Sequence, residues 1–496
     1  MLKIKNVFKL LLMLPFIAFL SSCGGGSSSS DGAVKSKKAG VNEVYVHLSA
    51  DLDKINPLIS TSANASLVER FLFYNLLETD PTTLGLTHVV ATSRPLIEEI
   101  EADVFGVKVP GLAITYSIRP EATWDDGTPI TAKDYEFALK VLKNPKVDCE
   151  SLRPYFEFIY DFKIDPTDPK KFTVYTKDKY ILSESASSGF LYPKHLYDKE
   201  GLMDKFTINE LSNPANLSKI STNLDIIKFA EMFNSEDYSR NPDFISGCGP
   251  YKLKEWSTGQ RIVLEKKKDW WGEQFVGKEI RFDNYPDRII YEIIVDNTTA
   301  VTAMKDESID VMSFIPSKDF IDLEKNERFN SLFALSTPIA PSYSFIAFNL
   351  KDPKMADKRV RQAMSMALDY ETIRSVIYYD LAERTVGPVH PNKSHYNKDI
   401  PLYPYDLNKA KALLDESGWI DADGNGVREK TIDGQVIEMK LEFLLPAGSE
   451  AGENIALMLK NNLAKLGVQL DIVQKEWTVF IEQTKAHDFD MCAMSW

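Results

Sequence analysis

The sequence predicts an α/β protein of two or three domains, and three observations carry that reading. At 496 residues the chain exceeds what one hydrophobic core usually serves. Towards its C-terminal end, Met439–Leu445, Ile455–Leu466 and Val468–Ile472 read as strand, helix and strand. Such a βαβ unit has parallel strands, which need helices across the sheet. Hydrophobic residues make up 44% and charged ones 26%, an ordinary globular composition that excludes a disordered, collagenous or polytopic membrane chain. The formal charge of −14 comes with no basic cluster, so nucleic acid is not an expected partner.

The elements follow in chain order. Lys3, Lys5 and Lys9 precede an apolar run from Leu10 to Leu20. That run rises only about 16 Å as a helix, too short for a bilayer core of about 30 Å, and reads as an export signal. Its end, Leu20-Ser21-Ser22-Cys23, resembles the lipobox of bacterial lipoproteins. The expectation is a signal peptide over 1–22, lipidation of Cys23, and a tether over 23–40 whose Gly and Ser runs cannot bury enough apolar surface to fold. The protein is then extracytoplasmic and anchored to a bacterial membrane through Cys23.

Val44–Leu48 alternates as a strand, Asn56-Pro57 turns the chain, and Leu67, Phe71, Tyr74 and Leu77 have helical spacing through Leu77. Ile114–Ile118 and Phe172–Tyr175 read as strands. Between them, Trp124–Pro129 is a turn, and Thr131 with Asp134 starts a helix that buries Tyr135, Ala138, Leu139 and Leu142. The stretch Asn209–Ser246 is polar and rich in turn residues, which predicts a surface excursion. Strands are expected at Tyr251–Trp256, Arg261–Glu265 and Ile289–Val295, with a short helix through Ala300, Ala303 and Met304. Asp357 caps a helix with Val360, Ala363, Met364, Ala367 and Leu368 inward. Asp406 and Gly418 bracket another around Ala410, Leu413 and Leu414.

A search for chemistry finds no catalytic constellation. None of the six histidines sits in a zinc-binding spacing, and no nucleophile elbow, P-loop or dinucleotide fingerprint is present. No metal, no cofactor and no enzymatic activity are expected. Asp421-Ala422-Asp423-Gly424-Asn425-Gly426 matches the start of a calcium loop, yet its twelfth position is Ile432 instead of a bidentate carboxylate, which favours a plain turn. Four cysteines are too few for a disulfide framework, and Cys149, Cys248 and Cys492 are expected as free buried thiols.

Several short segments, in order, carry a resemblance. They are Ile55-Asn56-Pro57, Tyr116–Arg119, Asp126–Asp134, Gly249-Pro250-Tyr251, Trp270-Trp271-Gly272, Ile309-Asp310-Val311, Phe348-Asn349, Arg359–Ala363, Tyr405-Asp406, Gly418-Trp419, Trp477, Phe480, Phe489-Asp490 and Trp496. Together they are similar to the solute-binding proteins of peptide ABC transporters, family 5 of the bacterial extracellular solute-binding proteins. The resemblance implies a two-lobed periplasmic-binding-protein fold, type II-like and of cluster C, with a small subdomain inserted in the first lobe. The expected division is 41–63 and 166–290 for the first lobe, 64–165 for the inserted subdomain and 291–496 for the second lobe. It also implies a monomer that closes over a short peptide and delivers it to permease subunits.

By motif order, Thr61, Ser62 and Ala63 would touch the peptide main chain, with Trp477 and Trp496 lining side-chain pockets. Ser495 stands where the family has Gly, so a side chain occupies space a ligand would approach. The family's ammonium-binding Asp lies shortly beyond the motif tryptophan, here Trp496, so the sequence is expected to be a piece of a longer protein with its second lobe incomplete. Two rival readings are the same fold around another solute (a metal chelate, haem or an oligosaccharide) and a secreted hydrolase acting through acidic residues.

Overall fold

A computed structural model describes residues 40–496, apart from Pro341, Ser394 and the side chain of Thr478. The expected signal peptide, Cys23 and all but the last residue of the tether lie outside the described residues. Along the chain run strand β1 (Glu43–Leu48), helix α1 (Ala63–Leu72), strands β2 (Leu77–Thr79), β3 (Leu86–His88), β4 (Leu96–Val104) and β5 (Val107–Ser117), helix α2 (Ala132–Lys143), and strands β6 (Ile159–Ile164) and β7 (Lys171–Thr176). Next come helix α3 (Leu224–Phe233), strands β8 (Tyr251–Ser257), β9 (Arg261–Lys266) and β10 (Arg288–Ile293), helix α4 (Asn297–Lys305) and strand β11 (Ser344–Phe348). The rest comprises α5 (Lys358–Met366), α6 (Leu407–Glu416), β12 (Glu429–Ile432), β13 (Gln435–Glu438), β14 (Lys440–Pro446), α7 (Glu450–Ala464), β15 (Gln469–Lys475), α8 (Trp477–Ala486) and β16 (Met491–Ser495). Short helical turns link these elements.

Among the described residues, three four-stranded sheets organise the fold. One has the order β1-β10-β9-β8, the next β4-β5-β7-β6, the last β11-β16-β14-β15. The expected βαβ unit is β14-α7-β15, with Leu441 beside Leu470 and Phe443 beside Ile472 in parallel register. A single apolar core running from Leu48 to Tyr291 serves the first two sheets, and a separate one from Met355 to Met491 serves the third. The expected boundary at residue 165 falls between β6 and β7, which pair directly, so this sheet continues to Thr176.

Local chemistry explains most boundaries. Asp134 accepts the Thr131 N–H at 2.8 Å, closing the capping box of α2. Asp357 and Asp406 cap α5 and α6 as their sequences predict. Two expectations need correction. α1 ends at Leu72, short of Leu77, because the chain turns extended at Phe73 and the Leu72 carbonyl accepts the Gly249 N–H at 2.8 Å. A side chain at Gly247 would stand 2.2 Å from that carbonyl oxygen, so only glycine permits the approach. The stretch Asn209–Ser246 is also more than a surface excursion. α3 buries Ile226, Phe229, Ala230 and Phe233, an i, i+3, i+4, i+7 stripe set among polar neighbours. All three described cysteines are free and buried, as expected.

Candidate ligand-binding site

The sequence-predicted contacts fall on two separate parts of the molecule. Thr61, Ser62 and Ala63 lead into α1, delivered by the turn at Asn56-Pro57. The Asn56 carbonyl accepts the N–H groups of Ile59 and Ser60 at 3.0 and 2.8 Å, and its side-chain oxygen accepts the Tyr192 hydroxyl at 2.6 Å. Asp53 then fixes the far end of the turn, accepting the Ser60 hydroxyl and the Thr61 N–H, each at 2.8 Å. Ser62 caps the helix by accepting from the Ala65 N–H. The Thr61 N–H is therefore spent on Asp53. Thr61 and Ala63 are nevertheless exposed, which leaves their surface open to a ligand.

Trp477 and Trp496 belong to the third sheet's region. Trp477 opens α8 and is 61% exposed, stacked on the fully buried Phe480 with ring centroids 5.8 Å apart. Trp496 follows β16 and is 67% exposed. Its backbone exchanges hydrogen bonds with Tyr343 at 2.9 and 3.0 Å, and its ring lies parallel to Phe345, 4° between planes and 6.4 Å between centroids. Ser495 points its hydroxyl at Ser344, 2.8 Å away. Both rings are supported on one face by a neighbouring ring and have surface open to a ligand, as the sequence-predicted pocket role needs. Among the described residues, β11 lies at the edge of its sheet and pairs with β16. An edge of this kind offers unpaired main-chain groups to an extended chain.

Among the described residues, no hydrogen bond or ring contact joins Thr61–Ala63 to either tryptophan. The segment that follows β10 returns to the first sheet beside β1. His47 N–H donates to the Val311 carbonyl at 2.8 Å, Ile294 N–H donates to Leu48 at 3.0 Å, and Tyr45 N–H donates to the Asp310 carboxylate at 2.9 Å. The chain thus leaves the first sheet after β10, and Asp310-Val311 returns to its margin.

Sequence reasoning missed Phe345, Tyr343 and Asp53. The alternation of Tyr343 and Phe345 across β11 is a legible signal, as is an Asp followed by Ser60-Thr61 within loop reach. Other clusters lie away from these residues. Asp421, Asp423 and Glu429 bring oxygens within 4.8 Å of one another. Asp421 already accepts the Gly424 and Gly426 N–H groups and Glu429 that of Ala422, as the plain-turn reading requires. A cavity of about 290 Å³ beside α2 holds Lys140 and Lys194, each paired with a carboxylate. Near β16, Lys354 lies between Asp352 and Asp490 at 3.4 and 2.9 Å. Burial and the neighbouring Asp490 push Asp352 up to about 6, while Asp490 stays below the usual carboxylate range because the Asp352 carboxyl, the Glu442 N–H and Lys354 all hydrogen-bond to it.

Comparison with known proteins finds relatives along most of the chain. The oligopeptide-binding protein AppA of Bacillus subtilis is 29% identical over 501 residues, spanning 99% of this chain and 81% of the relative. The structure of that protein in complex with a nonapeptide superposes with a TM-score of 0.67 at 26% identity, over 92% of this chain and 79% of the other. NikZ from Campylobacter jejuni, in complex with Ni(L-His), shares the fold, with a TM-score of 0.67 at 23% identity over 92% and 77% of the two chains. Over residues 99–496 the sequence matches the family description itself, and the chain belongs to the bacterial extracellular solute-binding proteins, family 5, as a binding protein of ABC transporters and not an enzyme.

Proposed function

We propose that this protein captures short peptides, in extended form, between the Thr61–Ala63 segment and the surface formed by Trp477, Ser495 and Trp496. The observation that carries the reading is the 29% identity, along 99% of the chain, to a protein named for oligopeptide binding. The exposed tryptophans and the open edge of β11 support it, because strand-like pairing with a peptide main chain is indifferent to peptide sequence while flat aromatic surfaces accept varied side chains. We take the sheet β1-β10-β9-β8 as the first lobe, β4-β5-β7-β6 as the inserted subdomain and β11-β16-β14-β15 as the second lobe, working as a monomer. Closure of the lobes presents the peptide to permease subunits, and a lipid on Cys23 keeps the protein at the membrane surface. No helix among the described residues is long and apolar enough to cross a membrane.

The test is a thermal-shift and tryptophan-fluorescence titration with pooled peptides of two to nine residues, run beside haem, nickel-histidine and an oligosaccharide pool. A peptide-dependent shift that is lost in Trp496→Ala supports the reading. A shift with one of the other solutes and none at millimolar peptide would transfer the site to that solute.

A further inference from the structure

Lys393 ties together regions that belong to different cores. Its Nζ donates to the Leu84 carbonyl, 309 positions away in sequence. Leu84 lies in the turn between β2 and β3, and Leu86, which opens β3, packs on the first core. Lys393 lies between α5 and α6, which bury their apolar faces in the core from Met355 to Met491. Past β10 the chain passes through a small core of its own, built on Val301, Met304, Ile309, Leu323 and Phe329, so the two large cores are separate apolar bodies.

Both ends of the bond are built. On the accepting side, Asp80 Oδ1 takes the N–H groups of Thr82 and Thr83 at 3.0 and 2.7 Å, and the Asp80 carbonyl takes the Leu84 N–H at 2.9 Å. These bonds hold Leu84 at a φ of 56°, in the left-handed region that residues other than glycine seldom enter. Such conformations persist only where their surroundings over-determine them, and they cluster at clamps and switches. On the donating side, the His390 carbonyl accepts the Lys393 N–H at 2.9 Å and its Nδ1 the Asn392 N–H at 3.1 Å, which makes a tight turn. Nearer α5, the Arg384 guanidinium lies 3.5 Å from the Tyr370 ring centroid and donates to the Tyr403 carbonyl at 2.8 Å. Tyr370 itself packs on the second core, so residues 384–393 are seated there. A lysine ordinarily keeps its ammonium in water, whereas Lys393 is half-buried and spends it on a backbone carbonyl of the other body.

We propose that Lys393 is a positioning residue that latches the cleft: its ammonium holds the Leu84 carbonyl when the second lobe closes on the first, and lets it go when they part. The inference rests on the reading of the two large cores as bodies that close over a solute. It does not depend on which solute, because neither end of the bond belongs to Thr61–Ala63, Trp477 or Trp496. A bond made in one arrangement and lost in the other favours the first by its own strength, and a solute enclosed by both bodies stays longer by the same factor.

The experiment compares wild type with Lys393→Met, which keeps the stem and removes the donor, and with Lys393→Arg, which restores a donor at similar reach. Stopped-flow tryptophan fluorescence gives binding rates for the pooled peptides, haem, nickel-histidine and the oligosaccharide pool. Melting temperatures and small-angle scattering are read on the ligand-free full-length proteins. Lys393→Met should speed dissociation about threefold to tenfold with association changed less than about twofold, Lys393→Arg should recover most of the loss, and the ligand-free melting temperature should move by less than about 2 °C. Unchanged dissociation in Lys393→Met would overturn the latch. Faster dissociation accompanied by a melting temperature lowered by several degrees would overturn it too, making Lys393 a plain structural contact. The expected rates with haem, nickel-histidine or an oligosaccharide in place of peptide would sink the peptide reading and uphold the latch. Should no solute bind either protein, a more extended Lys393→Met in scattering upholds the latch, and identical curves overturn it.

Discussion

The two large cores are built from different material. The first is aromatic: Phe282 alone touches the rings of Tyr74, Trp270, Trp271 and Phe275, and the Arg119 guanidinium sits 5.4 Å from its centroid. Tyr192, Tyr197, Phe229 and Phe233 make a second cluster in the same core. The second core is mostly aliphatic and methionine, with Trp419 and Phe443 its buried aromatics. In the same region Trp477 and Trp496 stand at the surface. The contrast teaches which aromatics are scaffold. Rings that interlock with other rings and bury their N–H or O–H groups in hydrogen bonds, as Trp270 and Trp271 do with the Cys248 carbonyl, hold the fold. Rings supported on one face and open on the other are available to a ligand.

The strongest test of that contrast sets Phe282→Ala against Trp496→Ala. Removing Phe282 leaves a void that its neighbours cannot fill, and urea denaturation should show a loss of about 3–5 kcal/mol. Trp496→Ala should cost less than about 0.5 kcal/mol in stability yet weaken peptide binding by about tenfold or more. Comparable stability losses in both variants would erase the distinction between scaffold and display. Gly247→Ala belongs with the first class, because its methyl group would meet the Leu72 carbonyl oxygen.

A second prediction probes the polar side of the second region. Asp352 is pushed up to about 6 by burial and by Asp490, so in the folded state it keeps its proton over a range where the unfolded chain has lost it. Its share of stability is therefore greatest below its unfolded value and declines as pH rises to about 6. Asp352→Asn, whose side-chain oxygen can still accept the Lys354 N–H, should raise stability by about 1–2 kcal/mol above that pH and change little in acid. Melting curves at about pH 4 and pH 7.5 decide it. A variant less stable at the higher pH would mean that Lys354 needs both carboxylates charged.

The third prediction returns to the aromatic core. Cys248 lies beneath Trp270 and Trp271, its thiol aimed at the Tyr74 carbonyl 3.4 Å away and pushed up to about 12 by burial. Alkylation should track global unfolding across a urea series, since neither access nor thiolate exists in the native state. Fast labelling in native buffer would show that this core opens locally. A crosslinked Cys149–Cys248 peptide would contradict the free thiols outright.

How much was readable depends on whether a residue's partner lies nearby in sequence. Caps such as Asp134, Asp357 and Asp406 and the β14-α7-β15 unit are local devices, and their pattern shows in the chain. The end of α1 is not local. Its stop depends on Gly249, far along the sequence, and the Leu67–Leu77 spacing gives no hint of it. α3 was obscured in the opposite way, its stripe of Ile226, Phe229 and Phe233 masked by polar residues that face solvent. For the site, the motif order pointed to Thr61–Ala63, Trp477 and Trp496. It passed over the local bond from the Thr61 N–H to Asp53, and it could not reveal that Phe345 underlies Trp496, which depends on tertiary placement.

The smallest effect concerns Asp421–Gly426, a third kind of place in the second region, where polar groups neither pack nor face a ligand. Gly424 and Gly426 adopt positive φ angles of 77° and 87°, and the Asp421 carboxylate accepts both of their N–H groups, at 2.8 and 3.1 Å. Asp423 accepts the Asn425 N–H at 3.0 Å and Glu429 the Ala422 N–H at 2.7 Å. A cation drawing on these oxygens would compete with turn bonds already made, and the Ile432 side chain supplies no closing carboxylate. Calcium at millimolar concentration, or a chelator, should therefore move the melting temperature by less than about 1 °C, within what a surface change of under 0.5 kcal/mol produces. Asp421→Ala should cost about 0.5–1 kcal/mol through the lost turn bonds, equally with and without calcium. A calcium-dependent rise in melting temperature that disappears in Asp421→Ala would convert the turn into a cation site, because only a bound ion links the two measurements.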